Sequence, residues 1–69
     1  MNYKEFFGTV EKKKVLFDIK DQDIAKYIHV SLRTYARRKA NPKTLNTEEA
    51  SMIAKFLKFS EKEKFDAFC

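Results

Sequence analysis

The side chains best equipped for recognition chemistry in this 69-residue chain are its arginines, Arg33, Arg37 and Arg38. A guanidinium stays charged in neutral water and presents a planar fork of donors. Its natural partners carry paired acceptors: a phosphate, a carboxylate or the edge of a guanine. Arg33 and Arg37 are four positions apart, which sets them on one side of a helix. Other chemistries do not assemble. His29 is the only histidine and Cys69 the only cysteine, so neither a nucleophile with its base nor a set of metal ligands is present. Asp18, Asp21 and Asp23 form a carboxylate cluster by count alone, since Asp21 is placed to cap a helix and Mg²⁺ sites usually recruit substrate phosphates as well. No catalytic residue, metal site or cofactor is expected, and the chain is not expected to be an enzyme.

The charge distribution favours a polyanionic partner. The formal net charge is +5, and residues 1–40 carry ten Lys or Arg against five Asp or Glu, whereas residues 41–69 carry five of each. Between Asp23 and Glu48 there is no acid, yet Lys26, Arg33, Arg37, Arg38, Lys39 and Lys43 all fall there. Such a stretch attracts nucleic acid if it folds into one patch, and is a solvated basic surface otherwise. The run Lys12-Lys13-Lys14 reads as lysines facing water.

The elements that must carry these side chains are helices. The chain has one Gly and one Pro and little alternation of β-branched residues, so an all-α domain of about five short helices is expected, occupying residues 1–69 as one unit. Tyr3, Phe6, Phe7, Val10 and Phe17 fall on one side of a first helix, although Gly8 weakens its start and Thr9 is an alternative cap for a shorter helix from Val10 to Asp18. Asp21 is expected to cap a second helix with Ile24, Ala25 and Ile28 inward, ending near His29. Ser31 caps a third, Leu32 to about Lys39, which Asn41-Pro42 stops. After a loop over 41–46, Thr47 caps a fourth helix with Ala50, Ile53, Ala54 and Leu57 on its apolar face. Ser60 and Glu63 have capping-box spacing for a fifth.

The segment Asp21 to Lys39, with Ile24 and Ile28 burying one helix, small Ala25 at the closest approach, Val30 in the turn and Tyr35 closing the next helix, resembles the helix-turn-helix of phage Cro and repressor proteins and the wider Xre-type family. Locally, Val30-Ser31-Leu32-Arg33-Thr34-Tyr35 with Arg37-Arg38-Lys39, followed by Leu45-Asn46-Thr47-Glu48-Glu49-Ala50, is similar to the N-terminal region of Xre-like antitoxins, which are autoregulatory repressors. His29 stands where the family commonly has a turn glycine, so either it takes a left-handed conformation or the turn differs. The resemblance implies that the helix begun by Ser31 reads the major groove. Leu32, Arg33, Ala36 and Arg37 then point away from the face of Tyr35 and meet base edges. Gln22, Ser31, Thr34, Arg38, Lys39 and Lys43 suit phosphates.

The expected function is that of a sequence-specific regulator of double-stranded DNA, a repressor of phage or mobile-element type occupying an inverted repeat. Two alternatives remain open at this point: a protein-interaction module of antitoxin kind, and an excisionase-like architectural DNA-binding protein. Met52, Phe56, Phe59, Phe65 and Phe68 cannot all be buried by one surface, so they are either covered by the fifth helix or form the interface of a homodimer, the usual device for reading two half-sites. No apolar run approaches the roughly 20 residues that span a bilayer. With one cysteine and no apolar signal core after the N-terminal lysines, a reducing cytoplasm is the expected compartment, and no small-molecule effector is indicated.

Overall fold

The computed structural model describes all residues, Met1–Cys69, and is all-α, with 75% of the chain helical and no strands. Helix α1 spans Tyr3–Phe17, α2 Asp21–Tyr27, α3 Leu32–Ala40, α4 Thr47–Phe56 and α5 Glu61–Phe68. A short 3₁₀ turn, Pro42–Thr44, sits inside the loop between α3 and α4.

Local side-chain chemistry sets the starts. Asn2 Oδ1 accepts from the Glu5 N–H at 3.1 Å, so α1 begins ahead of Gly8 and runs through it. The shorter helix capped by Thr9 does not form, because Phe6 and Val10 are both fully buried and the stripe they share needs the first two turns. Ser31 Oγ accepts from the Thr34 N–H at 3.0 Å, and Ser60 and Glu63 form the reciprocal box. Two expected caps shift by one residue. Asn46, not Thr47, caps α4: its Oδ1 accepts from the Glu49 N–H at 2.7 Å while the Glu49 carboxylate accepts from the Asn46 N–H at 3.3 Å. Thr47 would have faced Ala50 at the reciprocal position, which offers no acceptor. Likewise Lys20, not Asp21, is the cap position of α2, where the Asp23 carboxylate takes the Lys20 N–H at 3.0 Å. Asp21 is thereby free for ion pairing.

The ends of α1, α2 and α4 share one device. Asp18, His29 and Lys58 adopt left-handed backbone, with φ of 54°, 62° and 55°. In each case the N–H of the next residue reaches back to the carbonyl five positions earlier: Ile19 to Lys14 at 2.9 Å, Val30 to Ala25 at 3.0 Å and Phe59 to Ala54 at 2.9 Å. This closes off the last turn and directs an apolar residue onto the core. Helix α2 consequently stops at Tyr27, before the expected His29.

The core gathers Phe6, Val10, Ile24, Ala25, Ile28, Tyr35, Leu45, Ala50, Ile53, Ala54, Leu57, Phe59 and Ala67, with no charged side chain among them. Phe6 is its aromatic centre, with ring centroids 5.1 Å from Phe7, 5.6 Å from Phe59 and 5.9 Å from Phe68. Fully buried Ala67 lets α5 approach α1, and the Asn2 N–H donates to the Ala67 carbonyl at 2.8 Å. Phe17, expected on the inward stripe, is 40% exposed. The reason is length: α1 has 15 residues, roughly 22 Å, and α5 has 8, roughly 12 Å, so the last turn of α1 extends past its cover.

Candidate nucleic-acid interface

Helix α3 is anchored by Tyr35, whose ring is fully buried and whose hydroxyl has no hydrogen-bond partner. Burial, with Asp21 and Glu11 nearby, pushes the phenol far above its ordinary range, so it stays neutral. With Tyr35 inward, the opposite face is turned to solvent. Arg33, Ala36 and Arg37 are exposed there, and Leu32, at the first position of α3, is 49% exposed as well. Neither Arg33 nor Arg37 has a carboxylate within ion-pair distance, and the same is true of Lys26 on α2 and Lys43 on the 3₁₀ turn. Lys26 was not assigned a role from its position in the chain, although its place in the acid-free stretch marks it.

The two flanks of α3 behave differently. Arg38 Nη1 donates to the Thr44 carbonyl at 3.0 Å, and its Nε lies 3.2 Å from Glu49 Oε1. It therefore fastens α3 to the following loop and to the start of α4. Lys39 Nζ is 3.2 Å from Glu11 and 3.4 Å from Asp21. Lys14 meets the same two carboxylates. Glu11, Lys14, Asp21 and Lys39 thus form a ring of alternating charge that joins α1, α2 and α3. Burial alone would lower the Lys14 ammonium and raise the Asp21 carboxyl, but their mutual pairing outweighs it. Lys14 is held above its ordinary range, and Asp21, with Lys39 adding to the effect, below its own. Arg38 and Lys39, expected at phosphates, are engaged within the fold, because positions three and four beyond the buried Tyr35 point along the seams with neighbouring helices.

Of the remaining expected phosphate contacts, Ser31 is spent as the α3 cap and donates its hydroxyl hydrogen to Thr34 Oγ1 at 2.9 Å. Gln22 is exposed between Asp21 and Asp23, and Lys43 is exposed. An open cleft of about 440 Å³ separates the second half of α3 from the 3₁₀ turn, lined by Thr34, Arg37, Arg38, Ala40, Asn41 and Thr44. No acid lines it. The chain matches no family model, no curated protein and no solved structure.

The apolar candidates separate in the same way. Phe59 is buried against Phe6, Phe68 packs edge-on to Phe6, and Phe56 stacks on Tyr27 with ring centroids 4.5 Å apart. Met52 is half-buried against the core, and Phe65 alone of the five is largely open, at 67% exposure. Phe59 is therefore withdrawn from any partner surface, since the tight turn at Lys58 turns it inward. Lys13 and Lys14 also depart from the water-facing reading of the lysine run: Lys13 pairs with Glu63 at 3.0 Å and Lys14 sits in the charge ring, leaving Lys12 exposed. No helix is long and apolar enough to cross a membrane.

Proposed function

We propose that this chain is a sequence-specific double-stranded DNA-binding regulator of repressor type, with α2 and α3 acting as a helix-turn-helix in the cytoplasm. The observation that carries this reading is the contrast on α3: Arg33 and Arg37, one helical turn apart, are exposed and unpaired, while Arg38 and Lys39 on the flanks are fastened to neighbouring elements. A rigid helix presenting two free guanidinium groups suits bidentate reading of guanine edges, each contact worth about 1–3 kcal/mol of discrimination. Leu32, beside them, suits a thymine methyl, and Ala36 allows close approach to the groove floor. Lys43, and Gln22 at the start of α2, serve phosphates. The mechanism is occlusion of a promoter by a pair of copies on an inverted repeat.

The test is fluorescence anisotropy with the purified protein on DNA from upstream of its own coding region, beside random duplex, at two salt concentrations. Tight, salt-dependent binding that prefers the upstream DNA supports the reading. Weak binding indifferent to sequence overturns it.

A further inference from the structure

The cleft beside the second half of α3 is built from one stripe of that helix. Thr34, Arg37, Arg38 and the C-cap Asn41 stand at i, i+3, i+4 and i+7, one above the other on the same side, and Thr44 of the 3₁₀ turn forms the facing wall. The polar groups along it divide into engaged and free. The Arg38 guanidinium is fixed by the Thr44 carbonyl and Glu49, and the Thr44 hydroxyl donates to the Asn41 carbonyl at 2.7 Å. Thr34 Oγ1 accepts from the Ser31 hydroxyl, which leaves the Thr34 hydroxyl hydrogen to give. The Arg37 guanidinium and the Asn41 side-chain amide have no partner within the protein. Three free donors therefore line one concavity.

We infer that this cleft is a phosphate site, taking the phosphate end of a small phosphorylated molecule. An ionised phosphate is all acceptor, which matches a lining of free donors without an acid. The charge balance agrees. Arg38 is offset by Glu49, and the carbonyl end of α3 presents roughly half a negative charge, but Arg37 and the nearby Lys43 of the 3₁₀ turn are uncompensated, so the cleft is net positive. Its volume of about 440 Å³ lies within the roughly 300–1,000 Å³ of small-molecule pockets, which leaves room for an organic group beyond the phosphate. No aromatic side chain is present to stack a base, and the floor is Ala40 with the aliphatic stems of the arginines, so a sugar-sized group fits best. The DNA backbone carries the same oxygens. A diester, however, bears one charge on a convex surface, whereas a monoester brings about −1.5 to −2 into the concavity. A ligand seated there takes Arg37 and so competes with DNA. That consequence rests on the DNA-binding reading; the site itself does not.

The test titrates ribose 5-phosphate into the ¹⁵N-labelled full chain up to about 20 mM, at an ionic strength held constant with sodium chloride, and follows ¹⁵N–¹H spectra. Saturable shifts confined to residues 34–44 are expected. Inorganic phosphate should act on the same residues and ribose on none. Arg37→Gln should weaken the binding about tenfold, whereas Lys12→Gln, which removes the same charge from α1, should leave it unchanged. Both side chains are exposed and glutamine is a good helix former, so both variants keep their fold, which far-ultraviolet circular dichroism checks. No saturable shift, an equal loss in the two variants, a response to ribose, shifts spread over Lys12, Lys20 and Lys26, or a cleft that answers to duplex alone would each overturn the proposal. A second arm measures duplex binding by anisotropy with and without ribose 5-phosphate at fixed ionic strength. Weaker duplex binding in its presence links the site to DNA, and binding unmoved at saturation overturns the competition. If the protein binds no duplex while the ribose 5-phosphate shifts persist, the DNA reading fails and the phosphate site stands.

Discussion

Arg37 and Arg38 are neighbours in the chain with opposite engagements: Arg38 is held by Glu49 at 3.2 Å and by the Thr44 carbonyl at 3.0 Å, while Arg37 has no ion-pair partner and lines the open cleft beside it. The pair sets a guanidinium fastened within the fold beside one left free on the same helix. Replacing Arg37 by Ala should leave thermal stability within about 0.5 kcal/mol and reduce the preference for specific over random DNA by roughly tenfold. Replacing Arg38 by Ala should cost about 1–2 kcal/mol, because half-buried Glu49 and the Thr44 carbonyl lose a charged donor. In a domain of this size that lowers Tm by several degrees. Calorimetry and anisotropy on both variants check the division; equal effects in both assays would refute it.

Lys43, exposed on the 3₁₀ turn without an ion-pair partner, should behave as a phosphate contact. Lys43→Ala is expected to weaken binding to specific and random duplex alike, and to reduce the slope of log affinity against log salt by about 1. A loss restricted to the specific site would place Lys43 at a base instead.

Three left-handed positions hold residues with a β-carbon, at φ of 54° to 62°. His29→Gly and Lys58→Gly should each stabilise the fold by about 1 kcal/mol, since the steric cost of that backbone disappears. Asp18→Gly should gain less, because aspartate tolerates the conformation better. Gly8→Ala in the exposed middle of α1, where an added Cβ meets nothing within 4 Å, should also gain about 1 kcal/mol. Urea midpoints measured at constant m-value test all four.

Stability should fall in acid. Asp21 is held below its ordinary range, because Lys14 and Lys39 override the upward effect of burial, and Glu63 is held low by the Ser60 backbone hydrogen bond, with Lys13 adding to it. For a depressed carboxylate the stabilisation is fully present above its unfolded value near pH 4 and is lost as pH falls through the lower folded value. Lys14, held high by Asp21 and Glu11 against burial, works in the other direction: its contribution is present below its ordinary pKa near 10.5 and is lost at higher pH. Asp21→Asn should flatten the acid limb of the stability curve. An unchanged limb would show that the ring contributes nothing.

How much was determined by the sequence alone follows from the range of the forces involved. The all-helical class, the helix from Leu32 to about residue 40, its Ser31 cap and the Ser60–Glu63 box were legible because caps and apolar periodicity act within four or five residues. The inward Tyr35 and the outward Arg33, Ala36 and Arg37 follow from that same period, whereas Leu32, three positions before Tyr35 and so on its side of the wheel, is 49% exposed at the first position of α3. At Asn46 and Lys20 the reading missed by one residue, where the reciprocal carboxylate three positions on decided between adjacent candidates. Only the tertiary structure decided which charges are free. Arg38 and Lys39 look like Arg33 and Arg37 in the chain, but Glu11 lies 28 positions from Lys39, and its arrival depends on how α1 crosses the pair α2 and α3. The same holds for Phe17 and Phe59. Both are aromatic and flank turns, yet the length of α5 leaves one in water and the backbone at Lys58 turns the other into the core. Local chemistry sets each helix, and packing between helices, which depends on their relative lengths and meeting points, assigns each side chain its partner.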